Sequence, residues 1–93
     1  MKAGRRRAGS SIVTHLLVTD TEAPARFGFV VPKAVGSAVR RNRVKRRLRA
    51  LCAERIQAGL VGLDVVVRAL PGSAVAPFEA LRHELDMQIE VRA

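Results

Sequence analysis

Twelve consecutive residues, Ala38-Val39-Arg40-Arg41-Asn42-Arg43-Val44-Lys45-Arg46-Arg47-Leu48-Arg49, carry seven of the chain's seventeen Lys and Arg side chains and no acidic one. Any fold has to leave that charge at the surface. Placed at about 100° per residue, Val44, Leu48, Leu51 and Cys52 fall on one side of a helix, with Asn42, Arg43, Arg46 and Arg49 roughly opposite. The stretch is therefore predicted to be an amphipathic helix with a cationic outer face. An ordinary solvated helix mixes Glu with Lys at four-residue spacing, because like charges so close repel unless a partner compensates them. Arginine predominates, and its planar fork pairs bidentately with phosphate oxygens and stacks on bases. A membrane-surface or calmodulin-target helix would need bulky apolar anchors on its other face, whereas this one offers medium-sized residues suited to packing on a sheet.

Ninety-three residues make one domain, predicted over residues 1–93, and a chain of this size buries only about 60–65% of its unfolded surface. Hydrophobic residues are 48% of the chain, enough for a core, but no apolar run approaches the roughly 18 residues of a spanning helix. The basic N-terminus lacks the apolar region and cleavage site of a secretory signal, and the single cysteine has no internal disulfide partner. A soluble, cytoplasmic protein is expected. Residues 1–49 hold thirteen basic and two acidic side chains, net +11, whereas residues 50–93 hold four and six, net −2. The N-terminal half is thus expected to face a polyanion, with the C-terminal half mostly packing.

In chain order, residues 1–9 read either as a basic mobile arm or as a frayed terminus that happens to be charged. Ser10 to Thr19 is rich in β-branched residues and is predicted to be a strand; Asp20 to Ala25 is the following turn. Arg26 to Val31 is a second strand, with Phe27, Phe29 and Val31 on one face and Gly28 and Val30 on the other. The space left over Gly28 would take either the basic helix or an RNA base. Pro32 ends this strand, and Lys33 leads toward a helix capped near Ser37 and running to about Gln57. Gly59 and Gly62 make the exit. Asp64 to Ala69, almost wholly apolar, is predicted to be a buried central strand, and Pro71-Gly72 a turn. A last helix is expected from about Pro77 to about Val91, with Phe78, Leu81, Leu85 and Ile89 along one stripe. The predicted order is β-β-α-β-α in an α+β fold, with the basic helix linking two strands that could be parallel neighbours.

The run from Val35 through Arg49, with Gly36-Ser37-Ala38 ahead of Arg41-Asn42-Arg43, resembles the signature of the bacterial ribonuclease P protein component. Phe27-Gly28-Phe29-Val30-Val31-Pro32-Lys33 is similar to the strand and lysine that precede that family's helix, and Gly62 to Ala69 to the strand that follows it. The resemblance extends from about Arg5 to the C-terminus and implies a small α-β sandwich, ribosomal protein S5 domain 2-like, with a left-handed βαβ crossover; general rules favour the right-handed form. The family's N-terminal helix with its aromatic residues is missing from the pattern. Matched residue by residue, Arg41, Asn42, Arg43, Lys45, Arg46 and Arg49 would contact the RNA subunit, with Lys33 also RNA-binding. Val13, His15, Phe27, Phe29 and Lys33 would line a cleft for the single-stranded 5′ leader of precursor tRNA. Pro32 and Ala34 depart from the family's usual small polar residue and second lysine, which implies fewer cleft contacts. By the same resemblance, the protein is the subunit of an endoribonuclease whose RNA performs the hydrolysis with bound Mg2+. Its partners would be ribonuclease P RNA and precursor tRNA, with no membrane and no DNA.

No nucleophile with a base, paired carboxylates or metal-ligand spacing stands out in the chain itself. Cys52 falls on the apolar helix face as a small core residue, and His83 projects away from the apolar stripe of the last helix. Glu79, Glu84, Asp86 and Glu90 read as the soluble face of that helix. His15 shares a strand face with Val13 and Leu17, where it is either a histidine partly covered by its neighbours or a platform that stacks on a base. With three Phe and no Tyr or Trp, affinity for RNA is expected mainly from phosphate contacts. The rival reading is a ribosomal or RNA-chaperone protein without a processing role; a DNA-binding regulator is disfavoured because no helix precedes the basic one at helix-turn-helix spacing.

Overall fold

The computed structural model describes residues 4–89. Its elements are strands β1 (Arg5–Ala8), β2 (Ile12–Val18) and β3 (Arg26–Val30), helix α1 (Ala38–Gln57), strand β4 (Leu63–Ala69) and helix α2 (Phe78–Ile89). Short 3₁₀ turns occupy Lys33–Val35 and Pro71–Ala74. The α+β fold is the expected one with a strand added at its N-terminal end, giving β-β-β-α-β-α. The sheet order is β1-β2-β4-β3, with β4 antiparallel to β2 and parallel to β3. The basic helix therefore does connect parallel neighbours.

Helix α1 follows from its sequence almost residue by residue. Ser37, extended at φ −64° and ψ 167°, accepts the Arg40 backbone N–H at 3.3 Å, the expected N-cap. Val44, Leu48, Leu51 and Cys52 are the helix's buried residues. Gly36, at φ 146°, turns the chain into this cap. A Cβ there would sit 2.9 Å from Arg40 Cδ, so both the backbone conformation and the space ask for glycine. At the exit, Gly59 and Gly62 also hold positive φ.

Both helices cover one face of the sheet, and the core lies between. Ile12, Leu16, Val65, Val67 and Ala69 from the sheet meet Val44, Leu48 and Leu51 from α1 and Leu81, Leu85 and Ile89 from α2. Thr14, fully buried on the same sheet face, leaves its hydroxyl without a partner. The other face carries no helix, and β4 shows the consequence. Central as expected, it is not buried on both sides: Val66 (43% exposed) and Arg68 face outward. Two helices on one side of a four-stranded sheet leave this apolar run half covered.

The second departure is the N-terminal segment. Of residues 1–9, residues 1–3 lie outside the described residues, and Arg5–Ala8 are a strand rather than an arm, paired antiparallel with Leu16–Val13. Tertiary contacts override the polar composition here. Glu84 of α2 accepts the backbone N–H of Ser11 at 2.9 Å and of Ile12 at 3.2 Å. Gln88 donates to the Ile12 carbonyl at 3.0 Å, and Arg7 to the Met87 carbonyl at 3.3 Å. Glu84 is thus a structural staple rather than part of a solvated face. Glu79 pairs with Arg82, which also binds Glu54 at 2.9 Å, and Asp86 pairs with Arg55 at 3.3 Å. Val91, the expected end of the last helix, and Glu90 lie outside the described residues.

Candidate nucleic-acid interface

The outer face of α1 is built by periodicity alone: with Val44, Leu48 and Leu51 turned into the core, Arg40, Asn42, Arg43, Lys45, Arg46 and Arg49 are all exposed. None of these cations has a carboxylate partner among the described residues, where the four ion pairs involve Arg26, Arg55 and Arg82 only. The carboxylates near the helix are instead engaged at its C-terminal half, where the Glu54 carboxyl is held below its ordinary range by the Arg82 guanidinium. Two motif arginines turn inward. Arg41 donates through Nε to the Gly36 carbonyl at 3.2 Å, and Arg47 to the Ala76 carbonyl at 3.2 Å. Arg41 thereby braces the turn into the helix, leaving its terminal nitrogens beyond that bond. Arg47, which sequence spacing left without a role, ties α1 to the loop before α2.

Charge placement concentrates positive potential at the start of α1. Its first turn contains no acidic residue, while Arg40, Arg41 and Arg43 crowd the end where the helix dipole already presents partial positive charge. For an isolated protein this arrangement is unfavourable; a phosphate there relieves both the dipole and the mutual repulsion.

The open sheet face is the second surface. Register aligns Arg6, His15, Val66 and Gly28 in one row across the four strands. Val13 and Arg68 pair in the next row, and Leu17 with Asp64 on the other side. His15 is exposed, whereas Val13 is buried outside the core cluster. A Cβ on Gly28 would meet nothing within 4 Å. The space over Gly28 thus opens to solvent, and α1 packs on the opposite face. Phe27 and Phe29 are also on that opposite face, partly buried against the core. The sheet therefore separates four of the five predicted cleft residues, keeping Val13 and His15 together and turning the two phenylalanines inward. Alternation showed that Phe27 and Phe29 share a face, but not that the helices would choose it. Lys33 is exposed in the turn between β3 and α1. Arg26 forms a two-pronged bond to Asp64 at 2.8 and 2.9 Å, which keeps the Asp64 carboxyl below its ordinary range.

The remaining nucleophile is enclosed. Cys52 is 2% exposed, and burial pushes its thiol up to about 12. At pH 8 alkylation of the folded protein is expected to run on the order of 10³-fold slower than in denaturant, since only the thiolate reacts. Intact-mass time courses in buffer and in guanidinium check this, and equal rates would contradict the burial.

A ribonuclease P family profile matches residues 1–91. The chain is 48% identical over 84 residues to the ribonuclease P protein component of Kocuria rhizophila, covering 90% of this chain and 74% of that one. It is 46% identical over 98 residues to that of Streptomyces bikiniensis, covering 97% and 80%. In three dimensions it is similar to the RNase P protein of Thermotoga maritima, with TM-score 0.80, 22% identity and coverage of 96% and 87%. The Staphylococcus aureus RNase P protein superposes with TM-score 0.77, 23% identity and coverage of 92% and 78%. At those identities the solved structures speak for the fold.

Proposed function

The chain belongs to the ribonuclease P protein family, and from that premise we propose that it binds the catalytic RNA of ribonuclease P through α1 and supports removal of the 5′ leader from precursor tRNA. The observation that carries this reading is the row of exposed, carboxylate-free cations on α1: Arg43, Lys45, Arg46 and Arg49, with Asn42 among them. Arg41 contributes its outer nitrogens while bracing Gly36. The open sheet face, with His15 exposed in the row that leads through Val66 to Gly28 and Val13 buried next to it, holds the single-stranded leader, and Lys33 is exposed in the turn between β3 and α1. Phe27 and Phe29 support that face from behind.

Hydrolysis belongs to the RNA partner, with Mg2+ bound there to supply the charge stabilisation of phosphodiester cleavage. The protein's own contribution is electrostatic and positional. It neutralises phosphates at the start of α1 and holds the leader against a rigid sheet, which lowers the magnesium needed to keep the RNAs together. Among the described residues no three His, Cys, Asp or Glu side chains group as metal ligands. No described helix is long and apolar enough to cross a membrane, and the proposed place of action is the cytoplasm.

Adding the purified protein to a bacterial ribonuclease P RNA at low magnesium is expected to raise precursor-tRNA cleavage, while protein freed of RNA by nuclease cleaves nothing. Hydrolysis surviving nuclease treatment, or no stimulation of the RNA at any magnesium concentration, would sink the reading.

A further inference from the structure

Strand β1 places three consecutive arginines on the edge of the sheet farthest from β3. Arg5 and Arg6 are exposed on the two faces of this edge strand, Arg5 in register with Leu16 on the helix side and Arg6 with His15 on the open side, and neither side chain has an ion-pair or hydrogen-bond partner among the described residues. Arg6 is aligned with His15 on the open face, and Gly4, Arg6 and His15 help to line a shallow depression of about 500 Å³ there. An edge strand with charged side chains has an ordinary explanation, since arginine discourages pairing with other chains. Edge protection does not, however, require the edge to be held in one register.

Here it is held by four separate contacts. Glu84 takes the backbone N–H groups of both Ser11 and Ile12, Gln88 the Ile12 carbonyl, and Arg7 the Met87 carbonyl. Gly9 belongs to the same arrangement, because a Cβ at that position would overlap Glu84 Oε2. The hairpin is thus fixed to α2, and the two free guanidinium groups beside it are presented from a rigid edge.

This patch is separate from α1. On the helix side, α2 lies between, packed on β2, while α1 reaches β3. The facing side chains of α2, Glu79, Arg82 and Asp86, are occupied in ion pairs, with Glu54 and Arg55 of α1 among their partners. That intervening surface is neutralised internally and offers no continuous cationic track. On the open side the patch instead runs into the row of His15, Val66 and Gly28.

We infer that β1, clamped by Glu84 and Gln88, is a second phosphate-binding surface that engages the backbone of the precursor's single-stranded leader where it crosses the sheet edge, through Arg6 on the open face and Arg5 on the helix side of the same strand. The inference rests on the leader-binding role proposed for the open face and adds the residues that would supply its charge. Continuity of Arg6 with the row of His15, Val66 and Gly28 on the helix-free face selects this occupant over the catalytic RNA, which is proposed to lie on α1.

The test uses holoenzyme assembled on a bacterial ribonuclease P RNA, a non-cleavable leadered precursor and mature tRNA, with affinities measured from low to moderate salt. For the wild-type chain, leadered precursor binds more tightly than mature tRNA; equal binding would overturn the leader reading itself. With that difference in hand, R5Q/R6Q is expected to reduce it. The salt slope of leadered binding should fall by about 1.4, or 0.7 for each single-strand phosphate no longer neutralised, and mature-tRNA binding should stay unchanged. Protein binding to the catalytic RNA alone should keep its slope. If R5Q/R6Q leaves leader discrimination intact, or lowers the slope for the catalytic RNA alone by the same amount, β1 is not a leader surface. If it only promotes self-association, the edge-protection explanation replaces this one. Glu84→Gln, which retains the shape of the staple but loses its charge on the Ser11 and Ile12 amides, is expected to weaken leadered binding in the same direction without altering binding of the catalytic RNA.

Discussion

Replacing Arg43, Arg46 and Arg49 together by Ala is expected to abolish most of the protein's affinity for ribonuclease P RNA while leaving the fold intact. At about 1–2 kcal/mol for each charge-assisted contact, the loss is on the order of 10²- to 10⁴-fold. The slope of log K against log salt should fall by about 2.7, near 0.9 per duplex phosphate released. None of the three side chains touches a protein carboxylate among the described residues, so thermal stability should be unchanged, or slightly raised at low salt as repulsion along α1 is relieved. Filter binding at several salt concentrations, with a melt of the same sample, checks both halves. A triple variant that binds with its slope intact would remove α1 from the RNA interface.

The opposite face of the same helix should give the opposite phenotype. Leu48 is wholly buried in the core cluster with Leu51, Leu81 and Leu85, and truncation to Ala leaves a cavity that two helices and a sheet cannot close without moving. A cost on the order of 2–5 kcal/mol is expected, and in a domain of this size each kcal/mol lowers the melting temperature by roughly 4–8 °C. Val39→Ala, at a position 70% exposed, is the control and should stay within about ±0.5 kcal/mol. At a temperature where Leu48→Ala remains folded, its salt slope for RNA should match the wild type. An unchanged melt for Leu48→Ala would mean that the buried face has been misassigned.

What was legible in the chain is what local rules determine. Helix α1 could be placed from its Ser37 cap to Gln57 because a single segment carries periodicity, capping residue and glycine exit together. The alternation of Phe27, Gly28 and Phe29 was equally plain. Which of the two faces the helices would cover was not, since Gly28 leaves space on one side and the aromatic rings offer area on the other. The apolar run of β4 reads as burial on both sides, yet a chain with two helices can cover one side only, so Val66 remains half exposed. Strand β1 was illegible for a different reason. Nothing within Arg5–Ala8 favours a strand; the order comes from pairing with β2, whose start is held by Glu84 and Gln88 more than seventy residues away, and from the Arg7 bond to Met87. Glu84 itself looked like one more charge on a solvated helix, because its partners are backbone amides that leave no mark in the side-chain pattern.

The position of β4 in the sheet has a consequence for synthesis. Strands β2 and β3 are not neighbours; each is bonded to β4, which lies between them. A nascent chain that has emerged only through Gln57 can form the β1-β2 hairpin and the basic helix, but it has no strand on which to close the sheet. Ile12, Leu16, Phe27 and Phe29 then have no shared core to enter. Folding on the ribosome is thereby deferred until Leu63–Ala69 has left the exit tunnel, and one late insertion joins both halves.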